Sequence, residues 1–261
     1  MPGQTDAVVS YWLGGLDGTA LAQQAAGEQH YAASLMKVPV AIAAYRLADR
    51  GELDLDGPVV VHNDFASVVA GQRFSLEEAD DQDPPTWASL GSTMPLRELV
   101  RRSLTHSGNL AVDLVLERVG LDEVMAVLFD AGCSPLTTVQ RGIGDVPALD
   151  TGLANFVTAR DVALILGGLA AGRLASEASC AELESVLREQ VYQDAIPRAM
   201  PSGAVVANKT GWVDGLRHDA AIVRAPGVEP RVLVILTTGL DDDTAERQIS
   251  ELAAELWGAD V

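Results

Sequence analysis

The sequence predicts an α+β fold in which both ends of the chain contribute to one antiparallel sheet and the middle forms an inserted, all-helical body. Two observations carry this: β-rich, turn-punctuated stretches are confined to residues 1–33 and 202–261, and apolar spacing of three and four dominates residues 34–201. The first two ranges are the sheet subdomain and the third the helical one, with the functional site expected where they meet.

Each element has its own signal. Residues 7–16 are rich in β-formers (Val8, Val9, Tyr11, Trp12) and run into Leu16-Asp17-Gly18-Thr19, whose Asp-Gly pair marks a hairpin turn. Residues 34–50 read as a buried helix with Met36, Val40, Ala43 and Leu47 on one face, stopped by Gly51. Beyond it the pattern weakens, and the acidic run over residues 77–85, ending in Pro84-Pro85, reads as a solvated loop with Trp87 just after it. Residues 94–104 recover a helix with Pro95 in its first turn; 110–119 and 121–129 are two more, divided by Gly120. Residues 137–154, with Gly142, Gly144, Pro147 and Gly152, read as a long irregular loop of the kind kept for function. Thr158-Ala159-Arg160-Asp161 resembles a capping box that opens a helix over 162–171, and a further helix is expected over 181–196. Strands follow over 204–210, 218–224 and 231–238, and an amphipathic helix over 244–257 turns Ile249, Leu252, Ala253 and Leu256 inward.

Composition narrows the function. The net charge of -19 argues against nucleic acid or an anionic membrane as partner, and no apolar run approaches the roughly 18 residues of a membrane span. Met1-Pro2-Gly3-Gln4-Thr5-Asp6-Ala7 lacks a basic segment followed by an apolar one, so a cytoplasmic location is expected. Cys133 and Cys180 are isolated and read as free thiols, and His30, His62, His106 and His218 show no zinc spacing, so neither metal nor cofactor is expected.

The sharpest signal is lysine. Sixteen arginines carry the basic charge, and the only two lysines, Lys37 and Lys209, each stand near a hydroxyl residue: Ser34-x-x-Lys37 and Lys209-Thr210-Gly211. Residues three apart on a helix share a face, and a lysine whose pKa is lowered by apolar burial and a second cation can act as base for a serine nucleophile. Pro39 is tolerated only in a first turn, which starts the helix near Ser34 and sets the hydroxyl at its positive end. Alone, each triplet is also a common helix start or turn.

With Ser107-Gly108-Asn109 between them, the three motifs in this order resemble the penicillin-recognising serine hydrolases, above all class A β-lactamases and the related D-alanyl-D-alanine peptidases. The flanks, Met94-Pro95-Leu96-Arg97-Glu98-Leu99 and Val206-Ala207-Asn208, extend the likeness, and most of residues 8–257 can be threaded onto that β-lactamase/transpeptidase-like fold. The resemblance implies Ser34 as the acylated nucleophile, Lys37 as its base and Ser107 as the relay to the leaving group. It also implies Asn109 on a substrate amide, Lys209 and Thr210 on a substrate carboxylate, and the backbone N–H groups of Ser34 and Trp212, after Gly211, as oxyanion donors. His218, next to Asp219, is a further candidate at the substrate.

One departure matters. The family carries a glutamate on the loop before the Thr158 helix that activates the deacylating water, whereas no glutamate occurs from Val124 to Ser176 and Ile143 falls near its place. Asp145 and Asp150 are the candidate substitutes. The expected function is thus a serine hydrolase acting through an acyl-enzyme on a β-lactam or related carboxylate-bearing amide or ester. The alternatives are an esterase, D,D-peptidase or acyltransferase of the same fold, or a penicillin-binding sensor that acylates without turnover.

Overall fold

In the computed structural model, which describes residues 7–259, the Asp17-Gly18 turn folds the start of the chain into a hairpin of β1 (Val8–Gly15) and β2 (Ala20–Gln24). The reading of Met1-Pro2-Gly3-Gln4-Thr5-Asp6 as lacking a leader falls outside the described residues. A two-residue strand, β3 (His30–Tyr31), leads into a tight 3₁₀ turn, Ala33–Met36, and then α1 (Lys37–Asp49). The weakly patterned stretch that follows holds only short pieces: β4 (Pro58–Val60), β5 (Phe65–Ala66), β6 (Arg73–Phe74), α2 (Pro84–Trp87) and β7 (Thr93–Pro95). The helical body continues with α3 (Leu96–Thr105), α4 (Asn109–Val119), α5 (Leu121–Asp130), the short α6 (Val146–Asp150), β8 (Phe156–Val157), α7 (Ala159–Ala170), α8 (Glu177–Arg188) and α9 (Ile196–Ala199). The chain closes with β9 (Val205–Val213), β10 (Leu216–Arg224), β11 (Arg231–Thr238) and α10 (Asp242–Gly258).

Both ends do build one sheet, in the order β2-β1-β11-β10-β9, with every pair antiparallel. Side chains alternate faces along a strand, so β11 divides its own: Val232, Val234 and Leu236 join the core shared with the helices, whereas Leu233 and Ile235 join Ile249, Ala253 and Trp257 of α10 on the other face. A strand buried on both faces reads as a continuous apolar run, and that is what places β11 at the centre. On the larger face α7 lies across β1 and β11, close enough that a Cβ at Gly167 would come 3.0 Å from the Leu16 carbonyl oxygen. Among the described residues no helix is long and apolar enough to cross a membrane.

Three expectations change. The helix foreseen over 181–196 runs instead from Glu177 to Arg188, and the separate α9 begins at Ile196, whose N–H donates to Asp219 Oδ2 at 2.9 Å, with Pro197 in its first turn where a missing N–H breaks no helical hydrogen bond. Thr158 caps α7 by accepting from the Asp161 N–H, but the box is not reciprocated: Asp161 accepts instead from the hydroxyls of Ser134 and Thr137, and the Thr158 N–H donates to Thr137. The acidic stretch over 77–85 is not simply a solvated loop, for Asp81 and Asp83 turn inward and are buried beside Trp87.

Leu166 of α7 is about 1% exposed and packs on the sheet. Replacing it with alanine is expected to destabilise the protein by about 2–5 kcal/mol, read as a lower midpoint in urea unfolding with an unchanged slope.

Candidate active site

The strand motif and the first turn meet directly. Gly211 of β9 lies so near the 3₁₀ turn that an added Cβ would stand 3.0 Å from Ser34 N and 3.2 Å from the Ala33 Cβ, so only glycine lets this strand approach. Ala33 itself takes φ +44°, a strained conformation immediately before the half-buried Ser34. Ser34 opens on a cleft of about 230 Å³ together with Ser107, Asn109, Ile143 and Trp212, and among the described residues its hydroxyl makes no hydrogen bond.

Both lysines are fully buried, and they converge on Ser107. Lys37 Nζ donates to the Ser107 carbonyl oxygen at 2.5 Å, to Ser107 Oγ at 3.3 Å and to Asn109 Oδ1 at 2.7 Å. Lys209 Nζ donates to the same Ser107 Oγ at 3.0 Å and to the Thr210 carbonyl oxygen at 2.7 Å. Ser107 holds this position at φ +59°, the second strained residue of the site. Removal from water disfavours the charged amine, so burial pulls Lys37 down to about 7 against the opposing fields of Asp81, Asp113 and Asp83. Burial, then repulsion from Lys37, holds Lys209 well below the usual lysine range despite Asp219. Such an arrangement can supply a neutral amine at neutral pH and a hydroxyl joined to both amines as a proton path.

The remaining candidates divide. Thr210 is buried and its Oγ1 has no hydrogen-bond partner, which leaves an orphaned polar atom beside Lys209. Trp212 borders the cleft, braced by the Tyr192 ring at 4.8 Å and the Arg217 guanidinium at 5.9 Å. His218 is not presented to the cleft: it is fully buried, its Nε2 bonds the Tyr31 carbonyl oxygen at 2.9 Å, and burial drives its pKa down to about 4, so it ties the sheet to β3 as a neutral ring.

Asp145 is likewise committed elsewhere. It caps α6 through the Ala148 N–H and accepts from Ser67 Oγ at 2.7 Å and the Val68 N–H at 3.0 Å, so both oxygens are taken by partners that do not border the cleft. Asp150 is exposed at the far end of α6 and does not border the cleft. Ile143 stands in the cleft wall, on a loop whose backbone is held by Asp113: Oδ1 accepts from the Ile143 N–H at 2.8 Å and Oδ2 from the Gly144 N–H at 3.3 Å.

Several residues escaped the sequence reading. Asp113 is one α-helical turn from Asn109, and a charge on the apolar face of α4 was the signal that marked it. Asp81 was hidden in an acidic run where nothing local separates an inward carboxylate from a solvated one. Tyr31 of β3 and Asp80 and Gln82 of the acidic stretch join the cleft wall without any motif.

Comparison with known proteins identifies the family and the fold. The model of the beta-lactamase enzyme family matches residues 3–259. A β-lactamase of Bacillus licheniformis is 27% identical over 168 residues, 63% of this chain and 55% of that protein. The extended-spectrum β-lactamase PER-1 of Pseudomonas aeruginosa is 25% identical over 211 residues, 77% of this chain and 65% of that protein. The alignments thus span somewhat over half the length of these relatives. Among solved structures, a β-lactamase from Sphaerobacter thermophilus superposes with a TM-score of 0.80 at 26% identity, covering 98% of this chain and 93% of the other. PBP-A gives the same score at 19% identity over 99% and 91%, a likeness of fold. With a family model matched along nearly its whole length and the same fold in these neighbours, the chain belongs to the beta-lactamase enzyme family.

Proposed function

We propose that the protein is a serine hydrolase that works through an acyl-enzyme on a β-lactam or a related amide or ester carrying a carboxylate. The observation that supports this best is the pair of buried lysines sharing the Ser107 hydroxyl beside Ser34. Neutral Lys37 takes the proton of Ser34 as Oγ bonds to the carbonyl carbon. The N–H groups of Ser34 and Trp212 are the oxyanion donors in this reading, each typically worth about 3 kcal/mol. As the carbonyl re-forms, the carbon–nitrogen or carbon–oxygen bond breaks. Ser107 gives its proton to the leaving atom and regains one from the Lys37 ammonium. Lys209 and the unpartnered Thr210 hydroxyl suit the substrate carboxylate.

The second half-reaction is where the readings separate. Hydrolysis of the acyl-enzyme needs a base for water, and an isoleucine occupies the cleft wall where the family resemblance asks for a glutamate. Neither Asp145 nor Asp150 replaces it. This favours slow release, as in a penicillin-binding peptidase, acyltransferase or sensor; one solved neighbour is the acyl-enzyme complex of a PBP-A mutant with penicillin-G.

Intact mass spectrometry with penicillin-G is expected to show a long-lived adduct that is lost in Ser34→Ala; labelling of that variant at the same rate would disprove the nucleophile. Ile143→Glu is expected to shorten the adduct lifetime at least about tenfold, as a newly placed general base does. Because Lys37 acts as the neutral amine, the acylation rate should rise with pH through a midpoint near its pKa of about 7, and a rate flat from pH 6 to 8 would contradict that role.

A further inference from the structure

The start of α4 has an unusual source of capping. Its N-cap residue, Gly108, has no side chain with which to bond the first N–H groups of the helix. Nor is there room for one: a Cβ at Gly108 would fall 2.9 Å from the Cβ and the Oδ2 of Asp83. The acceptors come instead from a distant strap, residues 77–87. Asp81 Oδ1 accepts from the Asn109 N–H at 2.9 Å, and Asp81 Oδ2 from the Leu110 N–H and from Trp87 Nε1, both at 2.8 Å. The neighbouring Asp80 carbonyl oxygen accepts from Asn109 Nδ2 at 3.1 Å. Asp83 anchors the strap by pairing with Arg102 and accepting from Thr86 Oγ1.

We infer that Asp81 is a positioning residue of the active site, seating Asn109 so that its Oδ1 meets Lys37 and placing a fixed negative charge behind that contact. The role is distinct from simple capping because the same side chain acts on the base in two ways. It fixes the amide oxygen that accepts from Lys37 Nζ, and its buried carboxylate is the largest electrostatic influence opposing the desolvation of that amine. The charged groups facing Lys37 are Asp81 and Asp83 on the strap, Asp113 on α4 and Lys209 on β9. Of these, only Asp81 also holds the backbone of Asn109. Asp81 is absent from the cleft wall, so it acts through Asn109 and Lys37 rather than on the substrate.

Only two lysines exist in the chain, so a protein labelled with ¹³Cε-lysine gives two titrating side-chain signals, assigned through Lys209→Arg. In Asp81→Asn, and in Asp81→Ser, which keeps one cap acceptor, the Lys37 midpoint is expected to fall by about one pH unit, as removal of a nearby opposite charge requires. Asp81→Glu, which retains the charge, should restore most of it. Trp87→Phe loosens the strap while leaving the charge in place and is expected to lower thermal stability without moving the midpoint. An unmoved Lys37 midpoint in folded Asp81→Asn or Asp81→Ser, or an equal shift in Trp87→Phe, overturns the inference.

The kinetic arm rests on the proposed acyl-enzyme reading. The acid limb of penicillin-G acylation should move down with the Lys37 midpoint, while the plateau rate falls about tenfold as Asn109 loses its alignment. If the unaltered protein forms no adduct, that functional reading fails, and the lysine titration still decides the role of Asp81.

Discussion

Two ammonium groups removed from water against a single hydroxyl are the constraint on which the rest of the site depends. An isolated buried ammonium is so costly that the group sheds its proton unless partners hold it. Here the partners are arranged unequally. Lys37 faces Asp81, Asp113 and Asp83, and Lys209 has Asp219 but also the repulsion of Lys37. A chain of net charge -19 supplies the carboxylates readily, and using arginine for every other basic position leaves these two as the side-chain amines that burial can bring to the neutral form.

The fold exists around that convergence. Lys37 begins α1, Ser107 precedes α4 and Lys209 lies on β9, so three separate elements must be in register before the hydroxyl has its partners. β9 is the edge of the sheet, with β10 on one side and the Ala33–Met36 turn close on the other. An edge strand keeps one row of backbone groups free of a neighbouring strand, and Gly211 brings that row against Ser34. The strained φ values of Ala33 and Ser107 fall on the two sides of this junction. Backbone strain of that kind persists only where surrounding packing determines it, which here means the two buried lysines and the closely apposed strand.

What the sequence disclosed follows from which interactions are local. The strands of the meander, the amphipathic α10 and the Gly51 stop could be read because periodicity and turn chemistry act over a few residues. The three motifs could be read because their order is linear. Long-range choices left no such trace. Whether the aspartates of the acidic run dissolve or fold inward depends on Arg102 and the start of α4, both remote in the chain. His218 beside the strand motif looked available to substrate, but the Tyr31 carbonyl, brought in by β3, claims its ring. The Ser34-x-x-Lys37 spacing puts the first lysine on the face of Ser34, and nothing local says where the two lysines meet. They meet on Ser107, because Ser34 sits on a 3₁₀ turn one step before the α-helix, and the Ser107 carbonyl and hydroxyl together offer Lys37 two acceptors.

The loop that lacks the glutamate is as firmly built as a catalytic loop. Asp113 commits both oxygens to the N–H groups of Ile143 and Gly144, and burial drives its carboxyl up to about 6 even so. Arg141 binds the Gly142 and Ile143 carbonyl oxygens and the Tyr31 hydroxyl. Gly142 and Gly144 leave no space for side chains, with Asp113 Oδ1 3.0 Å from the one Cβ position and Leu76 Cγ 2.8 Å from the other. A segment determined from three directions sets its isoleucine in the cleft wall as a fixed feature rather than as slack left by a lost residue. In the proposed acyl-enzyme reading, the lysine apparatus depends on α1, α4 and β9, whereas the surface that would help water remove the acyl group depends on this loop. On that reading the two half-reactions are under separate structural control, and one can be fast while the other is slow without any change in the fold.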